Sequence, residues 1–257
     1  MNVNYELEFV EFKKSIKNLL NDELYTHTLE TMFESLNDWS CFNSLSEIKV
    51  WFEDKKKQST LVIENIPLNA VKGWKIDELT GNISHESGDF FTIHGIHVKS
   101  DNREVSVSWE QPILEQVGYD GGLLGIIRKR FDGIPHYLCE AKEEPGNYGK
   151  VQISPSLQAT FANINRAHGG RAPLFSELFL NRNNNPNITV LFDAWLAEDG
   201  GRLHLKRNKG ILMEVNDCEV IDLPSDNFKW LSLYQIKQLL KEDAWINPHI
   251  RGILAHV

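Results

Sequence analysis

The strongest constraint on the fold is a pair of apolar runs, GLLGIIRKRF and IPHYLCEAK, which are separated only by Asp132 and Gly133. Both runs are rich in β-branched and other apolar residues, a composition that favours strands. An Asp-Gly pair between two such runs is typical of the tight turn of a β-hairpin. The sequence therefore predicts an antiparallel hairpin over residues 122–142.

The hydrophobic period changes along the chain. Over residues 1–58, Phe9, Phe12 and Ile16 follow one another at spacings of three and four, the period of an amphipathic helix. Beyond this segment, short β-branched and aromatic runs alternate with Gly, Asn and Asp, and a helical pattern, SLYQIKQLLKE, comes near the end. This order predicts an α+β fold, with a helical segment over residues 1–58 and a second domain over residues 59–257.

A further helix is predicted directly after the hairpin. Ser154 and Pro155 match a helix start, with Ser as the cap and Pro in the first helical position. Leu157, Phe161 and Ile164 would then form the apolar stripe of this helix. We therefore expect the polypeptide to leave the sheet at residue 154.

Charge and composition exclude several classes of protein. The formal net charge of −9 argues against a nucleic-acid-binding protein, which usually presents a basic surface. No apolar run approaches the roughly 20 residues that span a bilayer, and the N-terminus lacks the pattern of a signal peptide. Cys41, Cys139 and Cys218 lie far apart, as in proteins of reducing compartments. We expect a cytoplasmic protein that contacts neither membranes nor nucleic acids.

Familiar catalytic motifs are missing from the sequence. It contains no phosphate-binding G-x-x-x-x-G-K-[ST] loop, no dinucleotide-binding G-x-G-x-x-G turn and no G-x-S-x-G elbow. It also contains no E-x-x-E-E run of the kind that binds magnesium. His94 and His97 lie three residues apart in a predicted strand, so their side chains would point to opposite faces. We therefore expect no metal site.

Several long blocks carry a family resemblance. They occur in the order GDFFTIHGIHV, WEQPIL, LLGIIRKRFDGIPHYLCEAKEEPGN, VQISPSLQAT, KRNKGILMEV and WLSLYQIKQLL. Together they resemble the nucleoside-diphosphate-hexose 2,3-dehydratases over residues 45–257. The family pattern KRFDG…QAK-x-EPGN…SPT-x-QAT is met except that Glu140 replaces a glutamine and Ser156 replaces a threonine.

The resemblance implies a fold and an assembly. It implies a Nudix-like mixed β-sheet with flanking helices, without the glutamate-rich metal-binding box of the Nudix hydrolases. Familiar members of the family carry two copies of this unit in one chain, whereas this chain has one, preceded by its helical segment. A homodimer would supply the second copy.

The resemblance also implies a reaction without a cofactor or metal. The substrate would be a dTDP-linked 4-keto-6-deoxyhexose, in its glucose form. The C4 ketone acidifies the hydrogen on C3, a base removes it, and the C2 hydroxyl leaves as water to give a 3,4-diketo-2,6-dideoxy sugar. Such a site needs a base, an acid and a partner for the developing negative oxygen.

The catalytic candidates come from the hairpin and its surroundings. By the resemblance, Glu144 would be the base or the acid, and Lys142 would stabilise the enolate oxygen. His168 and His136 are alternative proton carriers. The alternative reading of Lys142 and Glu144 is a surface ion pair, because charged side chains are mostly exposed.

The binding candidates are aromatic, cationic and amide side chains. Trp109 would stack on the nucleotide base, and Arg130 would clamp a phosphate. Trp109 would otherwise belong to the core. The remaining candidates are Arg166, Arg171 and Lys206 for the diphosphate, and Gln152, Gln158, Thr160 and Asn163 for sugar hydroxyls. The polar side chains of this last group would alternatively satisfy the backbone of a buried turn.

Two other functions stay open at this point. The chain could be a dimer that binds a nucleotide sugar without catalysis. It could also be a Nudix-type pyrophosphohydrolase, although the absence of the glutamate-rich run from the sequence argues against that reaction.

Overall fold

The computed structural model describes residues 5–16, 26–101, 108–118, 121–166, 169 and 171–255. Their helices and strands, in chain order, are α1 (Tyr5–Ile16), α2 (Thr26–Glu34), α3 (Leu45–Gln58), β1 (Trp74–Ile76), β2 (Ile83–His85), β3 (Phe91–Lys99), β4 (Ser108–Gln116), β5 (Gly122–Phe131), β6 (Ile134–Glu143), β7 (Val151–Pro155), β8 (Leu157–Thr160), α4 (Phe161–Ile164), α5 (Ser176–Leu180), β9 (Ile188–Ala197), β10 (Leu203–His204), β11 (Arg207–Val215), β12 (Phe228–Leu231), α6 (Leu233–Leu239) and α7 (Pro248–Leu254). Within this part of the chain, no helix has the length and apolar character that a membrane span requires.

Local capping signals define the main helices. Ser44 and Glu47 form a reciprocal capping box at the start of α3, and Ser232 and Gln235 form another at the start of α6. At α7, the side chain of Asn247 accepts a hydrogen bond from the backbone of the first turn, and a proline occupies the first helical position. The helix predicted for SLYQIKQLLKE is thereby confirmed as α6.

The strands form two mixed sheets. The first sheet has the order β1-β2-β3-β4-β10, and its last pair is parallel. The second sheet has the order β12-β6-β5-β11-β9, with β7 added to β6 and β8 added to β5. Its β5–β11 pair is parallel, whereas the other pairs are antiparallel. These mixed sheets with flanking helices confirm the predicted α+β class.

The predicted hairpin is formed by β5 and β6. Asp132 and Gly133 have φ angles of 51° and 79°, as a two-residue turn with two left-handed positions requires. The direct pairing of the two strands runs only from the turn to the partners Arg128 and Tyr137. Beyond that point the strands separate, and β8 pairs with β5 while β7 pairs with β6.

The helix predicted from Ser154 and Pro155 is wrong, because both residues belong to strand β7. Residues 157–160 continue as strand β8, and the helical turn α4 begins only at Phe161. The hydroxyl of Ser156 donates to the carbonyl of Leu138 at 2.6 Å and accepts from the amide of Ile127 at 3.0 Å. These tertiary bonds hold the segment between the separated strands and override the local helix signal.

The second sheet is buried on both faces. Residues from α3, α6 and α7, including Phe52, Ile236 and Ile250, pack on one face against Leu124 and Leu212. The other face is covered largely by α5 and the strands' own side chains. We call the face covered by α3, α6 and α7 the α7 face, and the opposite face the α5 face. Both faces of the central strands are therefore apolar, which explains the long hydrophobic runs in the sequence.

Close packing on the α5 face requires a glycine in β5. A Cβ atom on Gly125 would lie only 2.2 Å from the ring of Phe179 in α5. The missing side chain at this position lets the α5 helix approach the sheet.

The N-terminal helices pack in two different ways. Tyr5, Phe33 and Trp39 form a small aromatic cluster, whose ring centroids lie 4.8–5.1 Å apart. In contrast, Ile48 and Phe52 of α3 belong to the core of the second sheet. The proposed division at residue 58 stays a prediction.

A buried charge network joins α2 to the second sheet. The guanidinium of Arg128 on β5 donates to Glu30 at 2.7 Å and to Glu34 at 2.8 Å, both on α2, and it also binds Glu214 of β11. The hydroxyl of Tyr137 donates to Glu34 at 3.0 Å. Because its partners come from the helix and the sheet, this network fixes their relative position.

Candidate active site

A cleft of about 270 Å³ opens on the α7 face, beside the first residues of β5 and β11. Its apolar lining comprises Phe91, Leu124, Ala159 and Leu203. Its polar lining comprises Glu144, Gln158, Thr160, Asn163, Glu198, Lys206, Asn208 and His249. This group of acids, amides and basic side chains makes the cleft a candidate active site.

Strand register explains why these side chains meet. Gln158 of β8 lies opposite Leu124 of β5, so both side chains point to the α7 face. Gly210 of β11 is the partner of Leu124 on the other side, and Asn208 lies two residues earlier on the same face. Glu144 reaches the cleft from the turn after β6, where its amide donates to the carbonyl of Lys150 at 3.0 Å.

The first pair in the cleft is Glu144 and Gln158. The Nε2 of Gln158 donates to the two carboxylate oxygens of Glu144 at 2.9 and 3.1 Å. The Oε1 atom of Gln158 is buried and has no hydrogen-bond partner among the described residues. A buried acceptor without a donor is costly, so a ligand hydroxyl that reached this oxygen would be bound favourably.

The second group extends from α7 to the loop before β11. The Nδ1 of His249 lies 3.7 Å from Glu198 Oε1, and this carboxylate accepts a hydrogen bond from the amide of Asn208. The Nζ of Lys206 donates to Asn208 Oδ1 at 3.0 Å and also to Gln116 of the first sheet. One connected chain of polar groups therefore brings an imidazole, a carboxylate and an ammonium to the same wall of the cleft.

The surroundings of His249 favour the neutral form of its imidazole. Burial lowers the pKa of His249 below its usual value, while the charges of Glu198 and Glu144 act in the opposite direction and Lys206 adds to the lowering. A neutral imidazole can accept a proton on one nitrogen and donate a hydrogen bond from the other. His249 is therefore suited to contact an oxygen that becomes negative during a reaction.

Five residues predicted from the sequence line this cleft, namely Glu144, Gln158, Thr160, Asn163 and Lys206. Thr160 also caps the short helix α4, because its hydroxyl accepts from the amide of Asn163 at 3.3 Å. Their proposed roles in binding or catalysis stay predictions.

Lys142 and Gln152 lie outside the cleft lining. Lys142 is on β6, with its Nζ 3.6 Å from a carboxylate oxygen of Glu140. Burial raises the pKa of Glu140, and the charge of Lys142 opposes this shift.

The side-chain amide of Gln152 donates to the carbonyl of Ala244 at 2.9 Å and accepts from Asn247 at 3.4 Å. These bonds join Gln152 of β7 to the segment before α7, and its role in binding a sugar hydroxyl stays a prediction.

The ring of His136 is fully buried and has structural partners on both nitrogens. Its Nε2 accepts from the amide of Cys41 at 3.0 Å, and its Nδ1 lies 2.9 Å from the carbonyl of Ile134. Burial lowers the pKa of His136. The ring joins the loop after α2 to β6 and does not line the cleft, which differs from the predicted position.

Arg130 is held by carboxylates on the other end of β5. It donates to both oxygens of Glu30, at 2.6 and 2.7 Å, and to Glu214 at 3.2 Å. A phosphate could bind Arg130 only by displacing these carboxylates from its guanidinium group. Because β5 runs away from the cleft, Arg130 is not among its lining residues, contrary to the predicted clustering.

The remaining candidates lie at different places. Trp109 is half-buried on β4 of the first sheet, where its indole donates to Gln111 at 2.9 Å. Arg166 and Arg171 are exposed residues after α4. His168 lies outside the described residues.

Glu198, Asn208 and His249 were not anticipated from the sequence. Two of them follow a recognisable local signal: Glu198 comes directly after the apolar strand β9, and His249 follows the helix start at Asn247 and Pro248. Such signals locate the ends of elements. They do not reveal that these residues line one cleft with Glu144, because the cleft forms beside β5 and β11, which are distant in the chain.

The fold and the cleft define an α+β protein with acidic, basic and amide side chains gathered beside one sheet. The model of the NDP-hexose 2,3-dehydratase family matches residues 45–257, and the chain belongs to this family. The matched region includes α3 and every residue of the cleft lining.

Curated relatives agree with this assignment. The chain is 37% identical over 210 residues to a dTDP-4-dehydro-6-deoxy-alpha-D-glucopyranose 2,3-dehydratase of Saccharopolyspora spinosa, covering 82% of this chain and 41% of that protein. It is 36% identical over 218 residues to the enzyme of the same name from Amycolatopsis orientalis, covering 81% and 44%. The chain thus spans less than half the length of these relatives.

Two solved structures of hydrolases align with part of the chain. An Ap4A hydrolase of C. elegans aligns with 54% of this chain and 98% of its own, at 14% identity and a TM-score of 0.31. A Nudix hydrolase of M. smegmatis aligns with 54% and 88%, at 12% identity and a TM-score of 0.29. Likeness at this level carries no conclusion about activity.

Proposed function

We propose that the chain is a hydro-lyase that converts dTDP-4-keto-6-deoxyglucose into the 3,4-diketo-2,6-dideoxy nucleotide sugar by loss of water. The observation that carries this proposal is the cleft, in which Glu144 and His249 lie within the region matched by the dehydratase family. The substrate class follows from the names of the two relatives, both dTDP-4-dehydro-6-deoxy-alpha-D-glucopyranose 2,3-dehydratases.

Glu144 is the proposed base. Both of its oxygens accept hydrogen bonds from Gln158, as an ionised carboxylate does. The carboxylate takes the proton from C3, and the electrons of that C–H bond form the enolate between C3 and C4. When the enolate collapses, the C4 carbonyl re-forms, a double bond forms between C2 and C3, and the C2–O bond breaks.

The departing hydroxyl receives its proton from the same carboxyl group. Glu144 has just gained a proton from C3, so it can act as the acid in the second half of the reaction. Water leaves, and the enol at C3 tautomerises to the second ketone. One residue thereby serves as base and then as acid, and the carboxylate is regenerated.

The negative oxygen on C4 is stabilised by His249 and Lys206 in this proposal. A neutral imidazole donates a hydrogen bond to an enolate without holding a fixed charge, and the lowered pKa of His249 supports that form. Lys206 lines the same cleft and supplies a positive charge. It takes over the role first assigned to Lys142, which is paired with Glu140.

The decisive test is incubation with dTDP-4-keto-6-deoxyglucose in deuterated buffer, followed by NMR and mass spectrometry. We expect exchange at C3, loss of one water and no release of a nucleoside monophosphate. Glu144→Gln should reduce turnover by roughly 10²–10⁴-fold while the variant still binds dTDP. The control is Glu143→Gln, because Glu143 is the exposed neighbour of Glu144. Full turnover by Glu144→Gln would refute the assignment.

A second candidate is a nucleotide-sugar-binding protein without catalysis. It is favoured by one observation, that the chain covers only 41% and 44% of two relatives that are named as dehydratases. Binding of the substrate by the wild-type protein, without exchange at C3 and without water loss, would favour this candidate over the enzyme.

We also propose that two copies of the chain associate, since the relatives are more than twice as long as the matched stretch. Sedimentation equilibrium of the full chain tests this, and a monomer at the concentrations used for the assay would exclude it. The cytoplasmic location stays a prediction.

A further inference from the structure

A cluster of two histidines and a glutamate lies on the first sheet, next to the cleft. His94 belongs to β3, Glu115 to β4 and His204 to β10. Glu115 is the cross-strand partner of His204, and on its other side it is the partner of Thr92, two residues before His94. Because side chains alternate along strands, all three point to one face.

The distances within the cluster favour a shared ion over a hydrogen-bonded pair. The Nδ1 of His94 lies 3.6 Å from Glu115 Oε2, and the Nδ1 of His204 lies 3.8 Å from Glu115 Oε1. Both separations exceed normal hydrogen-bond lengths. One potential ligand atom from each residue lies within 4.8 Å of the others. Two ligands of one tetrahedral zinc ion lie roughly 3.3–3.5 Å apart, given metal–ligand bonds of about 2.0–2.2 Å.

The burial of these groups also favours a shared ion. The Nδ1 atom of His204 is buried and has no hydrogen-bond partner among the described residues. The side chain of Glu115 is 47% exposed, so an ion can reach it. A cavity of about 310 Å³, lined in part by Glu115, His204 and Lys206, leaves space for water at a fourth position.

We propose that His94, Glu115 and His204 form a zinc site with one open coordination position. Two imidazoles and one carboxylate are a common ligand set for Zn²⁺ with a fourth position left for water. The two-residue strand β10 would be fixed to the paired strands β3 and β4 by this ion. Leu203 and Lys206, on either side of His204 in the chain, line the cleft, so the ion would also hold the cleft's outer wall in place.

This site was not anticipated from the sequence, which drew attention to the spacing of His94 and His97. The structure pairs His97 with Glu110 instead, at 2.6 Å, and gives that pair no third ligand within the described residues. The missing ligand for His94 comes from β10, which is distant in the chain and joins β4 through a parallel pairing. His97 is therefore a matched control on the same strand.

The test is zinc binding by the chelator-treated full chain, measured by isothermal titration with ZnCl₂ and by metal analysis after dialysis. We expect one zinc ion per chain in the wild type and in His97→Ala. His94→Ala, Glu115→Gln and His204→Ala should each weaken binding tenfold or more. Cobalt substitution should give the visible absorption of a tetrahedral site in the wild type and not in these variants.

Thermal unfolding without metal checks that each variant is folded, and added Zn²⁺ should raise the unfolding temperature of the wild type and of His97→Ala only. The proposal is overturned if His204→Ala binds zinc as tightly as the wild type. It is equally overturned if the wild type retains no zinc, or if His97→Ala loses as much affinity as His94→Ala. None of these measurements depends on the dehydratase reaction.

Discussion

The amide of Gln158 donates to both carboxylate oxygens of Glu144, at 2.9 and 3.1 Å, across the gap between the separated strands β5 and β6. Gln158 is on β8, which pairs with β5, while Glu144 follows β6. The bond therefore exists only because β7 and β8 are inserted between the two strands of the hairpin. It fixes the orientation of the proposed base at the wall of the cleft.

Replacement of Gln158 by leucine tests this orientation. Gln158→Leu removes the donor and leaves a side chain of similar size. Hydrogen bonds to charged groups contribute about 1.5–3 kcal/mol, so we expect kcat to fall about 10–100-fold with little change in KM. Steady-state kinetics with the 4-keto sugar measures both constants.

The matched control for this variant is Gln238→Leu on α6, where the amide oxygen accepts from Lys241 at 2.7 Å outside the cleft. It should retain the wild-type kcat. A Gln158→Leu enzyme with unchanged kcat would mean that Glu144 needs no fixed orientation.

The lowered pKa of His249 predicts the pH dependence of the reaction. The ring is neutral above its folded pKa, which burial puts below the usual value. Activity that needs the neutral ring should therefore persist from alkaline pH to below pH 6.5, and decline as the ring becomes protonated. His249→Gln should abolish this decline and reduce kcat roughly 10²-fold.

The pH profile of kcat, measured between pH 5 and 9 with His97→Gln as the control, checks the assignment. His97 is a half-exposed residue outside the cleft, so its substitution should leave both the rate and the profile unchanged. If the kcat of His249→Gln declines at low pH in the same way as that of the wild type, a group other than His249 causes the decline.

Ser156 supports the insertion of β8. Its hydroxyl bonds Leu138 and Ile127, at the point where the hairpin strands separate. Ser156→Ala leaves a buried amide and a buried carbonyl without this partner, and we expect a loss of about 2–4 kcal/mol in the free energy of unfolding. Ser156→Thr keeps the hydroxyl and should lose much less.

Urea denaturation measures these free energies. Ser225→Ala, in an exposed loop, is the control and should stay within about 0.5 kcal/mol of the wild type. If Ser156→Ala is as stable as Ser225→Ala, the two hydrogen bonds of the hydroxyl do not hold the strands apart.

Features encoded by neighbouring residues were predictable from the sequence. The hairpin turn depends on Asp132 and Gly133, which alone supply its two positive φ angles. Helix α6 depends on the apolar stripe of SLYQIKQLLKE and on the cap at Ser232. The reach of Glu144 into a cleft was also anticipated, because it follows directly after a strand.

Features set by tertiary pairing were not predictable in the same way. Ser154 and Pro155 resemble a helix start, yet the bonds of Ser156 keep this segment in the sheet. Arg130 has the local setting of a phosphate ligand, but its partner Glu30 lies on a separate helix. No local pattern reveals such partners, since each contact joins segments that are distant in the chain.

The charge network beneath α2 shifts the pKa values of two glutamates in opposite directions. Burial raises the pKa of Glu34 to about 7, although Arg128 opposes this shift. Burial also acts on Glu30, but the hydrogen bonds and charges of Arg130 and Arg128 lower its pKa to about 2. Glu30 thus contributes stability above pH 4.5 that is lost as the pH falls towards 2. Glu34, whose pKa is raised, contributes stability at low pH that is lost as the pH rises.

Glu34 should make the protein less stable as the solution becomes alkaline. Its folded pKa of about 7 lies above its ordinary value of 4.5, so its contribution is fully present below pH 4.5 and is lost as the pH rises through 7. Glu34→Gln is neutral at every pH and should remove this decline, which we expect to be on the order of 2 kcal/mol between pH 5 and 8. Urea denaturation at both pH values measures it, with Glu53→Gln on α3 as the control. Equal declines in Glu34→Gln and the control would show that Glu34 does not titrate in this range.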